Sequence, residues 1–277
     1  NSLFTAMIAA GEESGKLSES LKIVSDEMEK SYQLQKKVKG ALLYPAVILS
    51  AMVVIGILMM VYVIPTLAST FKEMHVRLPL STRLIIGTSD FLLAHYLLVG
   101  GVFLLFVSSL ILFLRSSVGK RSLDFSVLRI PIIGNLVKET NAARTARTLA
   151  SLLSSGVPII EALGITRTVI QNSYYKEIIQ EAEKTVEHGD PLSTIFIKAE
   201  KLYPTFVGEM MSVGEETGKL SDMFMKVAVF YEDEVDQKTK DMSTIIEPFL
   251  MVIIGISVGF FALAMIAQTY SLVDVIH

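Results

Sequence analysis

Cysteine and tryptophan are absent from this chain of 277 residues, and histidine occurs only four times. Without cysteine there is no disulfide, no thiolate metal site and no cysteine nucleophile. The histidines (His75, His95, His188 and His277) are scattered, and no metal-ligand spacing is recognisable. No nucleophile–base pattern appears, so neither an enzyme nor a cofactor is expected. Charge is sparse: 19% of residues are Asp, Glu, Lys or Arg, while 51% are hydrophobic. That is below the usual charged quarter and leans toward a membrane protein. A net charge of −3 argues against nucleic acid as the main partner. Period-two alternation is missing throughout, which points to an all-α fold. No basic n-region or small-residue cleavage site precedes the first helical pattern, so no signal peptide is expected. The start at Asn1 rather than methionine reads as a fragment or a trimmed chain.

Charge disappears completely from three stretches. Residues 46–71, 91–114 and 248–273 contain no Asp, Glu, Lys or Arg. Each exceeds the roughly 20 residues that cross about 30 Å of hydrocarbon. Transmembrane helices are expected at 45–66, 93–114 and 248–270. Buried core helices of a soluble protein rarely run this long without charge. Lys30, Lys36, Lys37 and Lys39 precede the first span, and Arg115, Lys120, Arg121 and Arg129 follow the second. No lysine or arginine follows the third. By the positive-inside rule the N-terminus and 115–247 are cytoplasmic, with the 67–92 connection and the 271–277 tail outside.

What is present twice is more informative. The octet Gly11-Glu12-Glu13-Ser14-Gly15-Lys16-Leu17-Ser18 returns 203 residues later as Gly214-Glu215-Glu216-Thr217-Gly218-Lys219-Leu220-Ser221. Pro45 and Pro248 stand at the same offset, each opening an apolar run, with Glu247 at the interface. Gly-Lys within the octet is no phosphate loop: the required earlier glycine is Ala10 or Val213, and Leu17 or Leu220 stands where Ser or Thr is needed. A helix hairpin explains more. An apolar helix ends at a left-handed Gly15 or Gly218, and Ser18 or Ser221 caps the next helix. The glutamates resist that account, because the last turn of a helix disfavours negative charge. Glu12, Glu13, Glu215, Glu216 and Glu247 are therefore the candidates for partner contact. Gly11, Gly15, Pro45, Gly156, Pro158, Gly214, Gly218 and Pro248 are the candidates for local geometry.

Between the second and third spans the periodicity is helical. Ala142, Ala146, Leu149, Leu152 and Leu153 share a face, with Arg144 and Arg147 off it. Gly156-Val157-Pro158 breaks that helix, with Pro158 in the first turn of the next, to about Val169. Further helices are expected at 174–188 and 192–199, with Tyr203-Pro204 opening another. The 115–147 segment carries seven basic and two acidic residues, and 148–247 carries nine basic and seventeen acidic. The basic part adjoins the membrane exit, where anionic head groups attract it. Residues 1–44 read as the C-terminal part of a first cytoplasmic domain. On their own they would leave an apolar face uncovered unless the missing part or a partner covers it. The second domain, 115–247, reads as a six-helix bundle. Gly255 and Gly259 match the small-residue helix-packing motif.

These residues resemble the type II secretion system F family, the GspF/PilC-like proteins. The resemblance rests on Ser155-Gly156-Val157-Pro158 with Glu161-Ala162-Leu163, on Tyr203-Pro204, and on both octets. Lys37-Val38-Lys39-Gly40-Ala41-Leu42-Leu43-Tyr44-Pro45 and Glu247-Pro248 complete it. It implies two repeated cytoplasmic helical domains, the first N-terminally truncated, and three spans. It also implies a non-enzymatic platform in the bacterial inner membrane. The implied partners are a cytoplasmic hexameric assembly ATPase, pilin-like subunits, other inner-membrane assembly proteins and further copies in a homo-oligomer. A transporter or permease subunit is the alternative. The absence of intramembrane charge and the same-direction repeat weigh against it.

Overall fold

The computed structural model describes residues 2–13, 15, 17–66, 80–131 and 133–276. Side chains are described there except at 2, 42, 45, 80–82, 84, 85, 242–247, 249, 257, 260, 261 and 263–276. Among the described residues every regular element is helical. In chain order these are α1 (Ser2–Glu13), α2 (Leu17–Leu58), a π-helical turn (Met59–Val63), α3 (Leu80–Ala94), α4 (Tyr96–Arg115), α5 (Ser117–Arg129), α6 (Ile133–Ser154), α7 (Ile159–Val169), α8 (Ser173–Glu187), α9 (Ser193–Lys198), α10 (Thr205–Thr217) and α11 (Leu220–Ile276). The chain divides into two compact units, 1–39 with 113–240 and 40–112 with 241–277.

The first unit is a helical bundle built around α6. Small residues make up much of α6, and they are buried on several faces: Ala142, Ala143, Thr145, Ala146, Thr148, Ala150 and Ser151, with Leu149 and Leu152. A helix lined this way admits neighbours all round, and the Arg144–Arg147 side is therefore packed rather than solvated. At its C-terminus Gly156 adopts φ +88°. The Val157 N–H donates to the Leu152 carbonyl at 3.0 Å, closing a Schellman turn. Pro158 sits one position earlier than the sequence suggests. It is the extended N-cap of α7 (φ −58°, ψ 145°), and its carbonyl accepts the Ala162 N–H at 2.8 Å.

Below α6 three aromatics fill the core. Tyr203 meets Tyr175 and Phe196 edge-on, with centroids 5.0 and 4.8 Å apart. Both phenols are satisfied: Tyr175 donates to the Leu202 carbonyl at 2.7 Å, and Tyr203 pairs with Thr145 at 2.9 Å. Burial pushes both hydroxyls far above the ordinary tyrosine range.

The N-terminal helices belong to this same unit. Leu3 and Met7 of α1 are buried, and α1 packs on α6 and α7. Along α2, Ser20, Val24, Glu27 and Leu34 are buried at spacings that keep one helix face. The face of residues 1–39 that carries Leu3, Met7, Val24 and Leu34 is thus covered by later helices of the same chain, while Phe4, Leu21, Met28 and Tyr32 stay exposed.

Among the described residues, two helical stretches whose apolar parts fall mainly in the second unit, 40–112 with 241–277, are long and apolar enough to cross a membrane. One is the end of the 17–66 stretch and the other is Tyr96–Arg115. The third expected span, 248–270, falls in α11, where most side chains lie outside those described. The backbone of α11 is helical through Pro248. The expected 67–92 connection contains α3 from Leu80 onward. The π-helical turn has a chemical cause. The Ile64 N–H donates back to Met59, so the next donor in that register is residue 65, a proline without an N–H. The Met60 carbonyl left open is filled by the Ser89 hydroxyl of α3 at 2.6 Å. Among the described residues, a Cβ built on Gly255 or Gly259 meets nothing within 4 Å.

Candidate functional site

The two octets form the same hairpin. The second helices start at Leu17 and Leu220, 203 residues apart. Gly15 and Gly218 turn the chain with φ +70° and +68°, a conformation cheap only for glycine. Gly11 and Gly214 let the paired helices touch. A Cβ on Gly11 would lie 2.3 Å from the Ser20 hydroxyl, and one on Gly214 would lie 3.1 Å from a Leu220 methyl. Ser221 does not cap α11, contrary to the sequence reading. Lys219 takes the cap position, its carbonyl accepting the Met223 N–H at 3.1 Å. Ser221 therefore sits in the first turn, and its hydroxyl donates to the Ala150 carbonyl at 3.2 Å.

The glutamates separate by environment. Glu215 is half-buried and turned inward to the start of α9. Its carboxylate accepts the Leu192 N–H, the Ser193 N–H at 3.2 Å and the Ser193 hydroxyl at 2.5 Å. A carboxylate that offends the end of α10 thereby satisfies the positive start of α9. Glu216 and Glu12 are exposed. Glu13, also exposed, lines a cavity of about 410 Å³ with Ala6, Gly156, Val157, Pro158 and Glu161. The fold therefore unites three sequence-selected positions, Glu13, Gly156 and Pro158, across α1 and α7. Glu247 and Pro45 lie outside the described side chains, and Ser14 and Lys16 outside the described residues.

A charged seam between α2, α6 and α11 escaped the sequence reading. Glu27 is 4% exposed and accepts the Ser151 hydroxyl at 2.9 Å, with Thr148 at 3.5 Å. Burial raises its carboxyl above the ordinary value of 4.5, and the Ser151 hydrogen bond and Arg147 oppose that rise only in part. Arg147 forks onto Glu232 at 2.8 and 2.6 Å. Burial works against the Arg147 charge, yet Glu232 and Glu27 outweigh it and raise its pKa. Arg144 is lowered by burial, with Glu27 opposing. Further along, Lys37 of α2 meets Asp236 of α11 at 2.6 Å. Lys240 and then Lys37 hold that carboxyl below its usual range. The available signal was the run of Ala, Thr and Ser around α6, which marks a helix enclosed on all sides.

Among the described residues no group of three His, Asp or Glu is placed to hold a metal. What the geometry offers is two glycine-turned hairpins, an acidic-rimmed cavity at Glu13 and Glu161, and a seam fastening α2 to the bundle.

A family model for type II secretion system protein F matches residues 1–65 and 145–267. A type IV pilus assembly protein PilC of Thermus thermophilus is 35% identical over 98% of this chain and 67% of its own length. A protein of the same name from Pseudomonas aeruginosa is 30% identical over 99% of this chain and 73% of its own. A type II secretion system protein F of Pseudomonas aeruginosa is 33% identical over 98% of this chain and 66% of its own. The chain thus spans about two thirds of the length of these relatives. With helical hairpins leading into apolar helices and a match running nearly end to end, the chain belongs to the type II secretion system protein F family.

Proposed function

We propose that the chain is a non-enzymatic platform protein of the bacterial inner membrane, serving a type II secretion or type IV pilus assembly machine. The observation that carries this reading is the two-segment family match, each segment passing through a glycine-turned hairpin into an apolar run. In this reading the chain holds two repeated cytoplasmic helical domains and three spans. The first domain is represented by residues 1–44, and the N-terminus and 115–247 lie on the cytoplasmic side. A cytoplasmic hexameric assembly ATPase performs the chemical step. The platform passes the resulting motion to its spans, which draw pilin-like subunits from the bilayer. The platform itself is a homo-oligomer beside other inner-membrane assembly proteins.

The exposed carboxylates Glu12, Glu13 and Glu216 are its proposed contacts with a basic partner surface, and Glu247 is a further one at the membrane edge. Glu215, occupied with α9, acts in support of them. Glu216→Lys is the cleanest probe, because that side chain is exposed and surface changes away from packing move stability by less than about 0.5 kcal/mol. The variant inserts and folds, yet filament or secretion output in the native host falls to background. Reporter fusions place Gly119 in the cytoplasm and His277 outside. Substrate-dependent transport by the purified protein in liposomes without an ATPase would overturn the reading, as would unchanged output from Glu216→Lys for the contact role.

A further inference from the structure

We propose that the groove between the first turns of α5 and α8 is a binding site for an anionic glycerophospholipid of the cytoplasmic leaflet, held by its phosphate. The groove, open to solvent, measures about 640 Å³ and is lined chiefly by Val118, Lys120, Arg121, Phe125, Tyr174 and Lys176. That volume lies in the range of small-molecule sites. Lys120 and Lys176, both lining the groove, make no ion pair among the described residues. Arg121 is held by Glu177 at 2.5 Å and lies over the Tyr174 ring at 5.0 Å, which fixes one wall.

No carboxylate lines the groove. Asp124, the nearest acid on α5, is taken up by the Ser173 N–H and hydroxyl, each at 2.8 Å, and Glu177 by Arg121. Ser117 and Ser122 add hydroxyl groups to the lining. The opening turns of two helices supply partial positive charge on the same side. This combination selects a compact anion with several acceptor oxygens.

Covalent geometry argues that the anion comes from the bilayer. Ser117 follows the apolar helix α4 after one intervening residue. Val118 is therefore at most about 11 Å of chain from Arg115, close to the head-group layer, which is roughly 5–7 Å deep on each side. Gly119 tightens this further. A Cβ there would fall 1.8 Å from the Phe113 carbonyl, so only glycine lets α5 fold against the last turn of α4. Val118 is 70% exposed and Phe125 42% exposed, apolar groups beside the lysines. A lipid matches that pairing, with its phosphate on the ammonium groups and its glycerol and upper chains against valine and ring. A free phosphate leaves the apolar half unused.

The inference rests on reading Tyr96–Arg115 as a membrane span, and the test separates the two. The full chain is reconstituted in phosphatidylcholine vesicles containing a minority of phosphatidylglycerol. Integration is scored by resistance to alkaline extraction, and retained lipid by native mass spectrometry. The wild-type protein keeps phosphatidylglycerol in preference to phosphatidylcholine. Lys120→Ser with Lys176→Ser lowers that preference roughly 30-fold, as expected for two lysines at an anionic surface. Val118→Ser lowers retention while leaving the charge in place, and inorganic phosphate does not displace the lipid. Integrated wild-type protein with no lipid preference, or a preference unchanged in the lysine pair, overturns the site alone. Displacement by inorganic phosphate replaces the lipid with a soluble anion and overturns it as well. Protein that washes out of the vesicles overturns the span and the site together. A circular-dichroism melt of each variant in the same vesicles keeps loss of fold apart from loss of lipid.

Discussion

Glu27 is the residue at which burial and charge are most directly opposed. Its carboxyl is nearly sealed from water, with one close hydroxyl donor and the Arg147 guanidinium nearby. Its pKa is nonetheless raised, because loss of solvent outweighs both partners. The folded state therefore binds this proton more tightly than the unfolded chain does. The associated stability is complete below the ordinary value of 4.5 and is lost as pH rises through the raised folded value. Glu27→Gln keeps the shape and an acceptor for Ser151 but cannot ionise. The wild-type melting temperature, relative to the Glu27→Gln variant, should rise as pH is lowered from 7 toward 4.5. A difference that stays constant with pH excludes Glu27 as the titrating group. None of this was legible in the sequence. Ser151 lies 124 residues from Glu27, and Glu232 lies 85 from Arg147. Arg144 and Arg147 fall off the leucine–alanine face, where periodicity assigns solvent, and only the packing of α2 and α11 reverses that.

Helix α9 shows how a rule broken in one element can be satisfied in another. Six residues are too few to stand alone, and no side chain of its own caps its start. Glu215 supplies the cap from α10, so its position at the disfavoured end of α10 serves the neighbour. Glu215→Ala should cost about 1 kcal/mol, as cap removal does. In a unit of this size that lowers the melting temperature by roughly 2–4 °C. Glu215→Gln, which retains an acceptor, should recover about half. An unshifted melt for the alanine variant would show that α9 does not depend on this carboxylate. At this scale the sequence was readable wherever glycine or proline punctuates it. The ends of α6 and α10 and the starts of α7 and α10 fall at or beside the expected residues. Helices α3 and α5 were not named as elements, although the expected boundaries at 92/93 and 114/115 fall within a few residues of the breaks at 95 and 116. The π-helical turn was hidden because it depends on Ser89, whose distance from Met60 is set by tertiary contact.

At the scale of the whole molecule the 203-residue offset in the sequence marks the repeated hairpin. It was silent on where the first hairpin rests, since repetition gives equivalence and not position. Residues 1–39 join 113–240 in one compact unit. Leu3, Met7, Val24 and Leu34 are buried there, and polar links run along the seam from Glu27–Ser151 to Lys37–Asp236. The Lys37–Asp236 pair is partly exposed, at 44% and 23%, and such pairs are worth about 0–1 kcal/mol. Apolar burial, worth about 1.5–3 kcal/mol for each large side chain, must therefore hold α2 against the bundle, with the ion pair setting register. Residues 37 and 236 then stay adjacent whether or not their charges are present. The absence of native cysteine makes this testable in intact membranes. Lys37→Cys with Asp236→Cys should be joined efficiently by a short bis-maleimide, giving a looped species of altered gel mobility that vanishes when the membranes are first dissolved in denaturant. Each single variant should give none. If both thiols react with a monofunctional maleimide yet no looped species forms, α2 does not lie on the α11 seam, and the burial argument for residues 1–39 fails with it.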